Sequence, residues 1–207
     1  GQRYKAADFA IEADWSGAAP FLTAGAIFGD VAVTGLDTTS LQADISILDI
    51  LMQAGASMSQ LDEPTGSIHI KRAPLSAFQA DLNNCPDLFP MVAVLAAFCP
   101  GESHILGVQR LRHKETDRAA AIEQMLLQMG VPVTVDDDEM TITGMGLTQR
   151  LASGQLLKGG NYVSHADHRM AMALKVASPG ASSPLVIDDE ACVAKSFPHF
   201  NELFERL

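Results

Sequence analysis

Positive charge is scarce in this chain. Its 207 residues hold 14 Lys and Arg against 25 Asp and Glu, for a formal net charge of −11. With a pI near 4.8, that balance argues against nucleic acid and acidic membrane as partners, because both require a basic footprint. A small anionic ligand remains possible if a local basic cluster meets it. Long apolar runs are lacking too. None reaches the ~18 residues that mark a membrane span, and the opening GQRYKAADFAIEADW has no signal-peptide core. The expectation is a cytoplasmic protein with no membrane partner. Cysteine is sparse: Cys85, Cys99 and Cys192 are odd in number and show no CxxC spacing. They support neither a disulfide framework nor a zinc site, and read as buried structural thiols. No HExxH-type spacing marks a metal, and no low-complexity segment interrupts the chain. What is present is a composition that is 47% hydrophobic, ordinary for a globular domain with a sizeable core.

The pattern along the chain is strand, helix, strand, helix, strand, strand, repeated. FAIEA (9–13) reads as a strand, SGAAPFLTAGAIF (16–28) as a buried helix and DVAVTGL (30–36) as a second strand. LQADISILDILMQAG (41–55) has helical spacing and stops on Gly55, and SIHIKR (67–72) alternates as a strand. The next unit holds a buried helix in PDLFPMVAVLAAF (86–98) and a strand in ESHILGV (102–108). A helix in KETDRAAAIEQMLLQMG (114–130) and a hairpin across the acidic turn 136–139 complete it. The third unit has a strand near 161–164, a helix from Asp167 to about Ala177, the strand PLVIDD (184–189) and a final helix in SFPHFNELFERL. ILDILMQAG and AIEQMLLQMG align at an offset of 75 residues, and Gly35 and Gly107 lie 72 apart. Periods this long indicate duplicated domain-sized units rather than a solenoid. The fold expected is α/β: one domain, residues 9–207, of three βαβαββ units with the last truncated. Residues 1–8 read as a connection from an upstream domain.

RLRHKETDR (110–118) concentrates what charge there is. Six of its nine residues are charged, and four of the chain's 14 basic residues sit there. If a helix begins near 114–116, Lys114 and Arg118 are i,i+4 neighbours on one face and Glu115 pairs with Arg118 at i,i+3. Arg110 and Arg112 then occupy the turn before it. A helix N-terminus presents free N–H groups to an anion, whereas cations there oppose the helix dipole at about 0.3–1 kcal/mol each. An anion site and a solvated ion-pair cluster both fit the charge pattern. Three further stretches are each weak alone. SHADHRMAMAL places Asp167 as an N-cap before His168 and Arg169, VAKSFPHF puts Lys195 just ahead of another helix start, and NNCPDLFP puts Asp87 at the start of an apolar helix.

The repeat joins them. Asp87 and His168 are 81 residues apart, and so are Lys114 and Lys195. Two units therefore place an acid/base candidate at the first helix start and a lysine at the second. One end of one domain would then hold two oxyanions and a proton-transfer pair.

These motifs resemble those of the 5-enolpyruvylshikimate-3-phosphate synthase family (3-phosphoshikimate 1-carboxyvinyltransferases). The resemblance rests on KETDR (114–118), DHRMAM (167–172), AKSFP (194–198), PD (86–87) and SLQAD (40–44), in the family's order, from about Phe9 to the C-terminus. It covers the C-terminal part of such an enzyme. It implies an enolpyruvyl transferase fold whose site lies in a cleft between two domains, so the N-terminal domain is an expected partner and this chain alone is expected to be inactive. The implied substrates are shikimate 3-phosphate and phosphoenolpyruvate, with no metal or organic cofactor. The resemblance assigns Asp87 to the shikimate hydroxyls as proton acceptor, and Glu115 to proton transfer at the methylene carbon. It gives Lys114 to the shikimate substrate, and Arg118, Arg169 and Lys195 to the carboxylate and phosphate of phosphoenolpyruvate. His168 becomes a second contact near Glu115. Arg110 stands where many members have a substrate-contacting asparagine. Enzymes that transfer the same group to UDP-amino sugars share the fold, but KETDR together with DHRMAM is not expected of them. A non-catalytic binding domain of this fold would have no need of Asp87, Glu115 and paired cations at equivalent helix starts.

Overall fold

The computed structural model describes residues 3–8, 11–61 and 66–207. The first unit comprises α1 (Trp15–Phe28), β1 (Asp30–Val33), α2 (Ile47–Gln53), β2 (Ser57–Leu61) and β3 (Ser67–Lys71). The second comprises β4 (Gln79–Asp81), α3 (Phe89–Ala97), β5 (Gly101–Leu106), α4 (Arg118–Met129), β6 (Val133–Asp136) and β7 (Glu139–Gly144). A short helix, α5 (Leu147–Ser153), leads to the third: β8 (Gly160–Tyr162), α6 (His168–Ala177), β9 (Leu185–Ile187) and α7 (Phe200–Phe204).

The sheets carry the same topology in different states of completeness. The second unit orders its strands β4-β5-β7-β6, with β4 parallel to β5 and the other pairs antiparallel. The first keeps the antiparallel part, β1-β3-β2. The third keeps the parallel part, β8-β9. The first strand expected at 9–13 does not form over residues 11–13, and residues 9 and 10 lie outside those described.

The first helix of each unit, α1, α3 and α6, is the buried one, and the three pack on one another. Their sequences explain this. FPMVAVLAA is apolar on every face, so α3 is stable only when surrounded, and all nine of its residues are buried. Each fully buried Leu, Val or Phe in such a helix contributes about 1.5–3 kcal/mol. Small residues let α1 lie close on its sheet. A Cβ added at Gly25 would come within 2.5 Å of Ile70 Cγ2 and 3.0 Å of Val31 Cβ. All three units share one continuous core. Cys85, Cys99 and Cys192 are free and buried in it, and burial pushes the Cys99 thiol up to about 12.

Several boundaries differ from the sequence expectation. The helix expected from Lys114–Thr116 begins at Arg118, where Asp117 caps it by accepting from Ala120 N. Lys114 and Glu115 therefore sit on the preceding loop rather than on the helix. The segment 41–55 opens as a 3-10 turn, Ala43–Ser46, before α2. The C-terminal helix shrinks to five residues, preceded by a 3-10 turn over Glu190–Lys195, so Lys195 ends a turn instead of preceding a long helix. Strands β2 and β4 and helix α5 complete the fold without having been expected.

Candidate active site

The N-terminal ends of α1, α3 and α6 meet at one end of the domain. Asp14 caps α1, accepting from the amides of Ser16 and Gly17. Asp87 lies in the 3-10 turn Pro86–Leu88 that feeds α3. Asp167 caps α6 through the Arg169 amide. The loop carrying Lys114 and Glu115 reaches the same place from β5. Gly107 starts that path at φ +106, and an added Cβ there would lie 2.9 Å from Asn83 N; both features demand glycine. The acidic hairpin turn pins the path as well, since Asp138 accepts from the amides of Gly107 and Gln109.

Arg118 is the centre of the cluster. It is 1% exposed, and four of its N–H···O contacts go to three carboxylates. Nε donates to Asp167 Oδ2 at 2.7 Å and Nη2 to Asp167 Oδ1 at 3.2 Å, while Nη1 reaches Asp87 Oδ1 at 2.7 Å and Nη2 reaches Glu115 Oε2 at 2.6 Å. Two parallel bonds to Asp167, itself fully buried, fix the plane of the guanidinium. Lys114 Nζ lies 3.1 Å from Asp87 Oδ1, and Arg169 Nη2 lies 3.9 Å from Asp87 Oδ2. Arg169 Nη1 also donates to the Ser16 carbonyl at 3.3 Å, and Ser16 Oγ donates to the buried carboxylate of Asp44.

Lys195 belongs to the same end by a different route. Its Nζ donates to the Ala166 carbonyl at 2.8 Å, next to the DHR segment. That loop is strained: His165 and Ala166 both have positive φ, +58° and +51°, each costing about 1–2 kcal/mol for a residue with a Cβ. Asp188, just past β9, holds the loop by accepting from Ser164 N and Oγ, each at 2.7 Å.

The electrostatics follow from this packing. Burial pushes the Asp87 carboxyl up, but the Arg118 hydrogen bond and the charges of Arg169 and Lys114 outweigh it, leaving Asp87 below the ordinary carboxylate range. Burial pulls Arg118 down, and Asp167, Asp87 and Glu115 more than restore it. His168 is held below the usual histidine value, chiefly by burial and then by Arg169. Asp44 is pushed up by burial against the Ser16 hydrogen bond. Two buried nitrogens, His168 Nδ1 and Arg169 Nε, find no protein partner among the described residues. A buried polar atom left unpaired is costly, so Arg169 Nε points to an acceptor brought by a ligand, and His168 Nδ1 to a ligand donor or acceptor according to its tautomer.

Of the residues singled out in the sequence, Asp87, Lys114, Glu115, Arg118 and Arg169 join in one network, with His168 and Lys195 alongside. Arg110 stands apart: it is exposed in the 3-10 turn Val108–Leu111, with no side-chain hydrogen bond or ion pair among the described residues. Asp117 serves as the cap of α4. Sequence reasoning missed Ser16, carried Asp44 only as the end of SLQAD with no role, and gave Asp167 no part beyond a cap. The repeat held the missing signal, because Asp14 and Ser16 occupy the helix start in the first unit that Asp87 and His168 occupy in the others.

A buried guanidinium held by carboxylates, beside two further cations and two unpaired buried nitrogens, is suited to gripping oxyanions next to proton-transfer groups. The family model of EPSP synthase (3-phosphoshikimate 1-carboxyvinyltransferase) matches residues 1–204. The chain belongs to the EPSP synthase family. Relatives include the 3-phosphoshikimate 1-carboxyvinyltransferases of Brachyspira hyodysenteriae, 39% identical over 207 residues, and Clostridium kluyveri, 38% identical over 206 residues. The matches cover 100% of this chain and 47% and 46% of those proteins. The chain thus spans about half the length of the curated relatives it matches. Among solved structures, the EPSP synthase of Acinetobacter baumannii superposes with a TM-score of 0.81 at 30% identity, over 95% of this chain and 46% of that one. The enolpyruvyl transferase NikO of Streptomyces tendae has a TM-score of 0.68 at 15% identity, over 95% of this chain and 43% of that chain, which shows the shared fold alone. Among the described residues, no group of three His, Cys, Asp or Glu could hold a metal, and no helix is long and apolar enough to cross a membrane.

Proposed function

We propose that this chain supplies one half of a 3-phosphoshikimate 1-carboxyvinyltransferase site. The whole protein then moves the enolpyruvyl group of phosphoenolpyruvate to the 5-hydroxyl of shikimate 3-phosphate and releases phosphate, a step toward chorismate and aromatic amino acids. The observation that carries this reading is Arg118, buried and clamped by Asp167, with Asp87 on its Nη1, Glu115 sharing its Nη2 and Arg169 facing Asp87.

In the addition step, Asp87 accepts the proton of the 5-hydroxyl as its oxygen bonds to C2 of phosphoenolpyruvate. Glu115 delivers a proton to C3, turning the methylene into a methyl. In the elimination step, a methyl proton leaves to Glu115 as the C2–O bond to phosphate breaks, giving the enol ether. Lys114 orients the shikimate substrate. Arg118, Arg169 and Lys195 hold the carboxylate and phosphate, and Arg169 Nε gains an acceptor it lacks among the described residues. The cations around Asp87 keep it ionised at neutral pH, ready to accept. The reading also takes the N-terminal domain as the other wall of the cleft, with residues 1–8 as the connection to it, so that the chain has no turnover by itself.

The test is phosphate release from shikimate 3-phosphate and phosphoenolpyruvate, by the chain alone and joined to an upstream half. Release only in the joined protein is expected. A folded joined protein without release contradicts the reading.

A further inference from the structure

The motif SLQAD and the proline within α1 have no part in the chemistry above, yet both bear on Arg169. Pro20 lies inside α1. In an ordinary helix the amide four residues on donates to each carbonyl, so Ser16 O would accept from residue 20. Proline has no N–H, and its ring pushes against the carbonyl four residues back. Ser16 O is thereby released from the helix ladder, and Arg169 Nη1 donates to it at 3.3 Å. The same residue is fixed from the other side, since its Oγ donates to the buried Asp44. Gln42 steadies the turn: its Oε1 accepts from Trp15 N at 2.9 Å and its Nε2 donates to Ala13 O at 2.8 Å. Arg169 spends one nitrogen on Ser16 and turns Nη2 toward Asp87, while Nε stays buried without a partner among the described residues.

We infer that Pro20 is a positioning residue: by removing one helix N–H it frees the Ser16 carbonyl to orient the Arg169 guanidinium for the oxyanion of the substrate. Asp44 and Gln42 hold Ser16 in place for that contact. This rests on the function proposed above only for the identity of the oxyanion.

The test uses Pro20→Ala and Pro20→Val in the two-half protein. Both restore the N–H and let Ser16 O rejoin the helix, while differing in volume. In both variants the KM for phosphoenolpyruvate should rise about 3–10-fold, the range set by losing one modest hydrogen bond, with kcat within about twofold and Tm not lowered, since proline is the poorest helix residue. An unchanged KM in both, or a rise confined to the Ala variant, would mark packing alone and overturn the inference. The nitrogen NMR signals of the Arg169 side chain read the contact independently of turnover. The parent should show slowed rotation of the Nη groups and the variants faster averaging; identical spectra would also overturn it. A parent without turnover but with the NMR difference would sink the proposed function and leave this contact standing.

Discussion

At the scale of single residues, the site sets groups of opposite tendency side by side. Asp87 is lowered and His168 is lowered, but for different reasons and with the same direction of pH dependence. The depressed Asp87 contributes stability above its unfolded value of 3.8, and loses it as pH falls through its folded value. The depressed His168 is neutral in the fold. Below the ordinary histidine value of 6.5 the unfolded chain takes up the proton first, so the native state loses stability as pH falls from there. A proton NMR titration should give His168 a midpoint below 6.5; a midpoint at or above it would contradict the burial account. Residue identity at the site was largely legible in sequence, because Asp87, Lys114, Glu115, Arg118 and Arg169 fall in short motifs with fixed offsets. Ser16, Asp44 and the clamping role of Asp167 were not. Their parts depend on which helix ends meet in space, and a buried hydrogen bond leaves no mark on a linear pattern.

At the scale of elements, the three inner helices were the easiest to read and the short strands the hardest. An all-apolar run such as FPMVAVLAA has one stable environment, the interior. Strand β4 is three residues long and β2 reads SMSQL, too short or too polar for an alternating signal. The start of α4 was misplaced by the charges of KETDR, which look like a helix first turn. The backbone instead spends them on a loop so that Lys114 and Glu115 can reach Asp87 and Arg118. Close packing of α1 on its sheet gives a further expectation. Gly25→Val should lower stability by about 1–3 kcal/mol, the range for overpacking a tight contact, read by denaturant midpoint. A variant as stable as the parent would mean that Ile70 and Val31 yield freely.

At the scale of the whole molecule, three units of graded completeness surround one core, and the inner helix starts gather the charges at one end. That arrangement reconciles a net charge of −11 with the anionic substrates proposed above: the few cations are spent locally, and acidic partners hold them in place. The chain spans about half the length of its relatives, and under the proposed function this end is one wall of a cleft. Under the proposed function, Glu115 carries a proton to and from C3 of phosphoenolpyruvate. Turnover of the joined protein in deuterium oxide tests this most directly, by mass spectrometry of the enolpyruvyl methylene. A transient methyl group must acquire deuterium from solvent, so the parent should place deuterium in the product, and Glu115→Gln should slow both exchange and turnover by at least about 100-fold. Product free of deuterium, or a Gln variant that exchanges at the parent rate, would contradict the claim.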